Sequence, residues 1–166
     1  MRVVEERSVP FDQFETVSFH DAEIRRMEFG DREVRIVFEH TGFKPASEGG
    51  FAEGFEGAEF DVRLRDVRFF GAGLYGPFPI DRLTVTRLGD ETPETLARLR
   101  YAVTDGAHAA RSWEEARQGI WGDVKGEAAL IAACPDHRLL SFDAHVGMGV
   151  VAIAGDGEIE VRRPAA

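Results

Sequence analysis

Along much of this chain hydrophobic and polar positions alternate over short runs that end at glycine, proline or aspartate. Val34, Ile36 and Phe38 are interleaved with Arg35, Val37 and Glu39, the period of a half-buried strand. Ile24–Phe29 precedes them across Gly30-Asp31-Arg32, a short loop holding a residue free to take positive φ, and the two runs predict a β-hairpin. Phe60, Val62 and Leu64 alternate with Asp61, Arg63 and Arg65 within a strand over Ala58–Phe70, and the phase breaks near Val67–Phe70, where a bulge is expected. Ile80–Leu88 sets Leu83 and Val85 against Thr84 and Thr86. Four further strands are expected over Glu127–Cys134, Arg138–Ala144, Met148–Ala154 and Glu158–Arg162. Pro135-Asp136, Gly147 and Gly155-Asp156-Gly157 divide them, the last as a tight Asp-Gly hairpin turn. Near the start, Pro10 limits an extended Val9-Pro10-Phe11 segment to a sheet edge or a strand start.

The period changes over Asp90–Thr104. Leu96, Leu99 and Val103 form one stripe, Thr92 is a candidate N-cap and Pro93 suits the first helical position. Ala97, Leu99, Tyr101 and Val103 also alternate with Arg98 and Arg100, as a strand would; the capping residues favour helix. Ser112-Trp113-Glu114-Glu115 is a capping box, and Gly119 is a stop for a second short helix. Short alternating runs with glycine and proline turns point to a mainly β fold. The expected architecture is a two-layer antiparallel β-sandwich or partly open barrel with one or two short helices. The alternative is α+β, with the Thr92 helix across one curved sheet. Residues 1–166 fit one domain, with a frayed tail at 164–166.

Two stretches break the strand pattern. Residues 41–57 form a long Gly/Phe-rich loop carrying Phe43, Phe51 and Phe55, and Gly71–Pro79 forms another with Tyr75 and Phe78. Long connections without regular structure are uncommon in compact domains and tend to be functional or disordered. If these aromatics stay on the surface they mark an association site, and a homodimer is the simplest closed solution. Folding down over the core is the competing expectation.

Composition narrows the field. A net charge of −10 argues against general nucleic-acid binding, which needs a basic surface. Arg63, Arg65 and Arg68 form a local basic cluster, as do Arg98 and Arg100, and solvated faces account for both. The acidic first residues are followed by no apolar run, so no signal peptide is expected, and the longest apolar runs are too short to span a bilayer. A lone cysteine, Cys134, rules out an internal disulfide and fits a reducing cytoplasm.

Candidate chemistry is sparse. Gly71-Ala72-Gly73-Leu74-Tyr75-Gly76 satisfies the G-x-G-x-x-G pattern, but Pro77 and Pro79 follow it and no βαβ unit exists for it to serve. Asp21 with Glu23, and Asp143 with His145, would each project from one strand face, and together could ligate a divalent cation. Without a feature that brings them together, solvated charges are preferred and no metal or cofactor is expected. His20 and Asp21 could cooperate only in a turn or bulge; a structural Asp21 accepting backbone N–H groups is preferred. Cys134 ends an apolar run beside Pro135, so it reads as a core residue rather than a nucleophile activated by His137.

The segment Phe19-His20-Asp21-Ala22-Glu23-Ile24, leading into a strand pair, resembles the opening of several small bacterial domains, some of them grouped with toxin-immunity proteins. The likeness covers Val17 to Glu39. It implies a compact cytoplasmic domain working by binding, and it carries over no catalytic residue. Two classes of function follow. The first is a non-catalytic module whose acidic surface and aromatic loops contact a protein partner. The second is a small enzyme or ligand-binding sandwich with a pocket lined by Phe51, Phe55, Tyr75 and Phe78 and polar groups from His20, Asp21 and Glu23. A flat acidic face would favour the first, and a concave pocket gathering those side chains the second.

Overall fold

The computed structural model describes residues 3–40, 57–72, 80–103, 124–144 and 149–164. Among them, β1 (Val3–Pro10), β2 (Ala22–Gly30), β3 (Glu33–His40), β4 (Glu59–Arg65) and β9 (Asp156–Pro164) form a five-stranded antiparallel sheet in the order β1-β9-β4-β3-β2. β5 (Phe69–Ala72), β6 (Ile80–Arg87), β7 (Arg138–Ala144) and β8 (Val150–Ala154) form a four-stranded antiparallel sheet in the order β5-β8-β7-β6. Helices α1 (Pro93–Val103) and α2 (Lys125–Ala133) contact each other, and α1 also contacts β5 and β8 of the smaller sheet. The fold is mainly β: among the described residues two antiparallel sheets lie in a sandwich-like arrangement, and they do not close into a barrel.

The alternation read from the sequence explains the core between the sheets. Ile36, Phe38, Phe60, Val62, Leu64 and Ile159 of the larger sheet and Leu140, Phe142, Val150 and Ala152 of the smaller one belong to one buried cluster. Phe19 lies at its centre. Its ring meets Phe38, Phe60 and Phe142 at centroid distances of 5.0, 5.2 and 5.2 Å. Such contacts add about 0.5–1.5 kcal/mol per pair beyond area burial. A second apolar layer joins the far side of the smaller sheet to the helices through Leu88, Leu96, Val103, Cys134, Leu139, Val151 and Ile153. β8 is therefore buried on both faces, as its unbroken Val150-Val151-Ala152-Ile153-Ala154 run requires.

Most predicted elements form. The hairpin β2–β3 turns through Asp31-Arg32, with the positive φ at Arg32 (53°) rather than at Gly30. Helix is the outcome over 93–103, and Thr92 Oγ1 accepts a hydrogen bond from Thr95 N at 3.2 Å. Pro10 ends β1 on a sheet edge. Pairing reaches Pro164, opposite Val3, which the frayed end expected for 164–166 had not included.

Three expectations need correction. Glu127–Cys134 is not a strand: α2 occupies Lys125–Ala133. Its Ala128, Ala129, Ala132 and Ala133 are strong helix formers, and a short apolar run does not reveal its period. Gly155-Asp156-Gly157 does not close a hairpin either, because β8 and β9 belong to different sheets. Near Val67 the chain does more than bulge: after β4 it crosses into the smaller sheet as β5. These two crossings lie side by side. Arg68 N donates to Ile153 O at 2.8 Å, and Gly155 N donates to Arg65 O at 3.1 Å, so the β4–β9 ladder continues into β5–β8 across the corner. Asp66 takes a left-handed φ of 48° at the corner, a conformation aspartate adopts more readily than most residues. The loop at 41–57 up to residue 56, residues 73–79 and the Ser112–Gly119 helix lie outside the described residues.

Candidate functional site

The predicted His20–Asp21 pair sits in a turn between the short 3-10 segment Phe11–Thr16 and β2. Phe19, anchored in the core, fixes the start of this turn. Asp21 adopts a φ of 60° and its N–H donates to Ile80 O at 2.8 Å, tying the turn to the start of β6. That geometry brings the two neighbouring side chains together, which a strand would not. His20 Nε2 lies 3.2 Å from Asp21 Oδ2. On its other side, Nδ1 lies 3.3 Å from Asp81 O and 3.4 Å from Asp81 Oδ1. The imidazole is thus held between two aspartates, with Asp21 buried and Asp81 exposed. Nδ1 therefore ties the turn before β2 to the start of β6, while Nε2 lies beside the Asp21 carboxylate of the same turn.

The other candidates are dispersed. Glu23 lies on β2 opposite Glu39, and Arg25 bridges them at 3.6 and 2.9 Å. Asp143, on β7, accepts from Ser141 Oγ at 2.6 Å and lies 3.4 Å from Arg82 Nε. His145, Phe51, Phe55, Tyr75 and Phe78 lie outside the described residues. Among the described residues no group of three or more His, Cys, Asp or Glu side chains is arranged to hold a metal ion. Cys134 is buried at the end of α2, while the His137 ring turns to Asp66, with Nε2 to Oδ2 at 2.9 Å. Gly71, the first glycine of the G-x-G-x-x-G match, has a packing role: a Cβ there would lie 2.3 Å from Val103 Cγ2, so only glycine lets α1 approach β5 this closely.

The most developed polar feature was not singled out by sequence reasoning. It covers the outer face of the five-stranded sheet, and Asp61 on the central strand β4 is its hub. Asp61 is fully buried although it points away from the core. Arg35 Nε and Nη2 donate to its two carboxylate oxygens at 2.8 and 2.6 Å, and Arg63 Nη2 adds a bond at 3.3 Å. Arg162 Nη2 approaches to 3.8 Å, and the same guanidinium engages Glu6 through Nε, Glu59 through Nη1 and Glu160 through Nη2. Arg65 joins Asp156 and Glu158, and Ser8 Oγ donates to Glu158 at 2.6 Å. Burial alone would raise the Asp61 pKa; hydrogen bonds from Arg35 and Arg63, with their charges, outweigh it and hold the carboxyl below the ordinary range. Glu158 is also lowered, first by the Ser8 hydroxyl and then, against its burial, by Arg65. The signal for this site was present in the alternation: Arg35, Asp61 and Glu160 each occupy an outward position, and the register sets Asp61 opposite Glu160. What the sequence lacked was the strand order.

With Glu23, Arg25, Arg26, Glu28 and Glu39 at the β2–β3 edge, the ion pairs of this face involve nine carboxylates and six guanidinium groups among the described residues. A scan of protein-family models, a search of curated proteins and a search of solved structures each found no match to this chain. No helix among the described residues is long and apolar enough to cross a membrane.

Proposed function

We propose that this protein is a binding module, acting without catalysis, whose outer five-stranded face meets a partner protein with a basic surface. The observation that carries this reading is that face: an excess of carboxylates spread over neighbouring strands and held in register by ion pairs centred on the buried Asp61. A field of this sign steers a basic partner and raises its association rate, while the fixed guanidinium groups set which arrangement of charges fits. This agrees with what the Phe19–Ile24 segment's resemblance implies, a small domain working by binding in the manner of immunity proteins.

The test places a photo-crosslinking side chain at Glu39, about half exposed on this face, and separately at Glu94 on α1. In the native host, Glu39 should yield an adduct with a basic protein that Glu94 does not. The adduct should weaken at high salt and with the charge reversals Glu59→Lys and Glu160→Lys. Equal adducts from both positions, or a Glu39 adduct indifferent to salt and to charge reversal, would remove this face as the binding surface.

A further inference from the structure

We infer a small-molecule site in the cleft between the 3-10 segment Phe11–Thr16 and the paired ends of β6 and β7, for a zwitterion of the α-amino acid class with an apolar side chain. The cleft has a volume of about 310 Å³, at the small end of the range for ligand sites. Arg87 and Arg138 line it from the two strands, and Asp12 and Glu15 from the 3-10 segment. Phe11 and Val85 supply apolar surface.

Arg138 is what turns this cleft from a surface groove into a site. Arg35, Arg63, Arg65, Arg138 and Arg162 are the half-buried arginines among the described residues. Four of them pair with carboxylates. Arg138 makes no ion pair among the described residues. Its Nη1 donates to Phe11 O at 2.9 Å, and its guanidinium lies over the Phe11 ring, 4.9 Å from the centroid. These contacts fix the position of the group and leave its charge without a counter-ion. The register sets it opposite Arg87, a like-charge placement that costs stability across strands. Arg87 is balanced by Asp136 at 2.8 Å, so the charge left over belongs to Arg138. Its Nε and Nη2 make no hydrogen bond among the described residues, and that edge of a guanidinium matches a carboxylate through two parallel bonds. A bare anion would meet Asp12 and Glu15, exposed carboxylates of the same cleft that make no ion pair among the described residues. A ligand that also carries an ammonium group suits both sets of charges. An α-amino acid bears the two on one carbon and leaves its side chain for Phe11 and Val85. The cleft shares no residue with the charged outer face, and the inference does not rest on the function proposed for that face.

The experiment is an amide-resolved NMR titration of the whole protein with L-leucine and, separately, with isocaproate and isoamylamine, which are leucine without its ammonium and without its carboxylate. Leucine should shift the Val85, Arg87 and Arg138 amides saturably. It should bind at least about tenfold more tightly than either analogue, the loss expected when one charged hydrogen-bonding group is removed. Arg138→Gln should bring leucine and isoamylamine to equal affinity. Asp12→Asn combined with Glu15→Gln, both at exposed positions, should do the same for leucine and isocaproate. If Arg138→Gln loses its dispersed spectrum, Arg138→Lys, which keeps the charge but not the fork, should shrink the preference over isoamylamine several-fold. Absence of saturable shifts with leucine, an analogue binding as tightly as leucine in the unaltered protein, or preferences unchanged in the variants that fold would each overturn the assignment.

Discussion

The two sheets turn opposite kinds of surface outward. The larger one offers water a lattice of arginine and carboxylate side chains around Asp61, while the smaller one offers Leu139, Val151 and Ile153 to two helices. Both faces are held in place, by different physics. Apolar burial is roughly additive and indifferent to direction, so the helix-covered face gains stability from each side chain removed from water. Ion pairs at a wet surface contribute little individually and are screened by salt. The charged face is therefore worth more as a pattern of fixed charges than as a source of stability, except at Asp61, where burial changes the scale.

That contrast can be broken by substitution. Ile153→Ala, beneath the helices, should destabilise by about 2–5 kcal/mol through lost burial and the cavity left behind, read as a lower urea midpoint. A shift under 1 kcal/mol would mean that the helices are not packed on this sheet. Asp61→Ala should cost about 3 kcal/mol, because the guanidinium groups around a fully buried carboxylate lose their shared partner. A loss no larger than that of an exposed pair would place Asp61 among ordinary surface acids.

Acid sharpens the same point. Asp61 titrates below its ordinary value in the folded chain, so its stabilising contribution is complete above about pH 4, the unfolded value. It is lost as pH falls through the folded value. Stability measured from pH 6 down to pH 2 should drop less steeply in Asp61→Asn than in the unaltered protein, and parallel curves would discard this account. Gly71→Ala should cost about 1–3 kcal/mol by overpacking against Val103, and adding Val103→Ala should recover part of the loss. Additive losses in the double variant would show that the two positions do not compete for space. The smallest effect belongs to Arg65→Ala, whose partners Asp156 and Glu158 are both partly solvated. Its expected cost is below about 1 kcal/mol, with any difference vanishing in high salt.

The elements legible from sequence were those whose side chains meet two different environments. β3 and β4 alternate because one face is dry and the other wet, and α1 carries its Thr92 cap in the sequence itself. α2 was misread because Ala128–Ala133 has no period to report: the same run would serve a strand buried on both sides, as β8 does. The breaks near Val67 and at Gly155 were visible, but whether a break bulges, reverses the chain or carries it into another sheet depends on partners far away in sequence. The site divided in the same way. His20 and Asp21 were visible as an adjacent pair, yet the positive φ that joins them and the approach of Asp81 were not. Asp61 looked like any polar position on an alternating strand, since what buries it are arginines from β3 and β9.

The order of strands also governs when the fold can close. β1 finds its place in the five-stranded sheet only through β9, which separates it from β4. Residues 3–10 therefore have to wait for residues 156–164 before they gain a neighbour. During synthesis from the N-terminus, β2, β3 and β4 can pair early, but the β4 edge stays unpaired until β9 emerges. Contacts that span nearly the whole chain form slowly, because the intervening chain must be constrained first. In that interval the ribosome-bound chain exposes an open strand edge beside half-buried phenylalanines, the kind of surface that recruits chaperones or a second nascent chain.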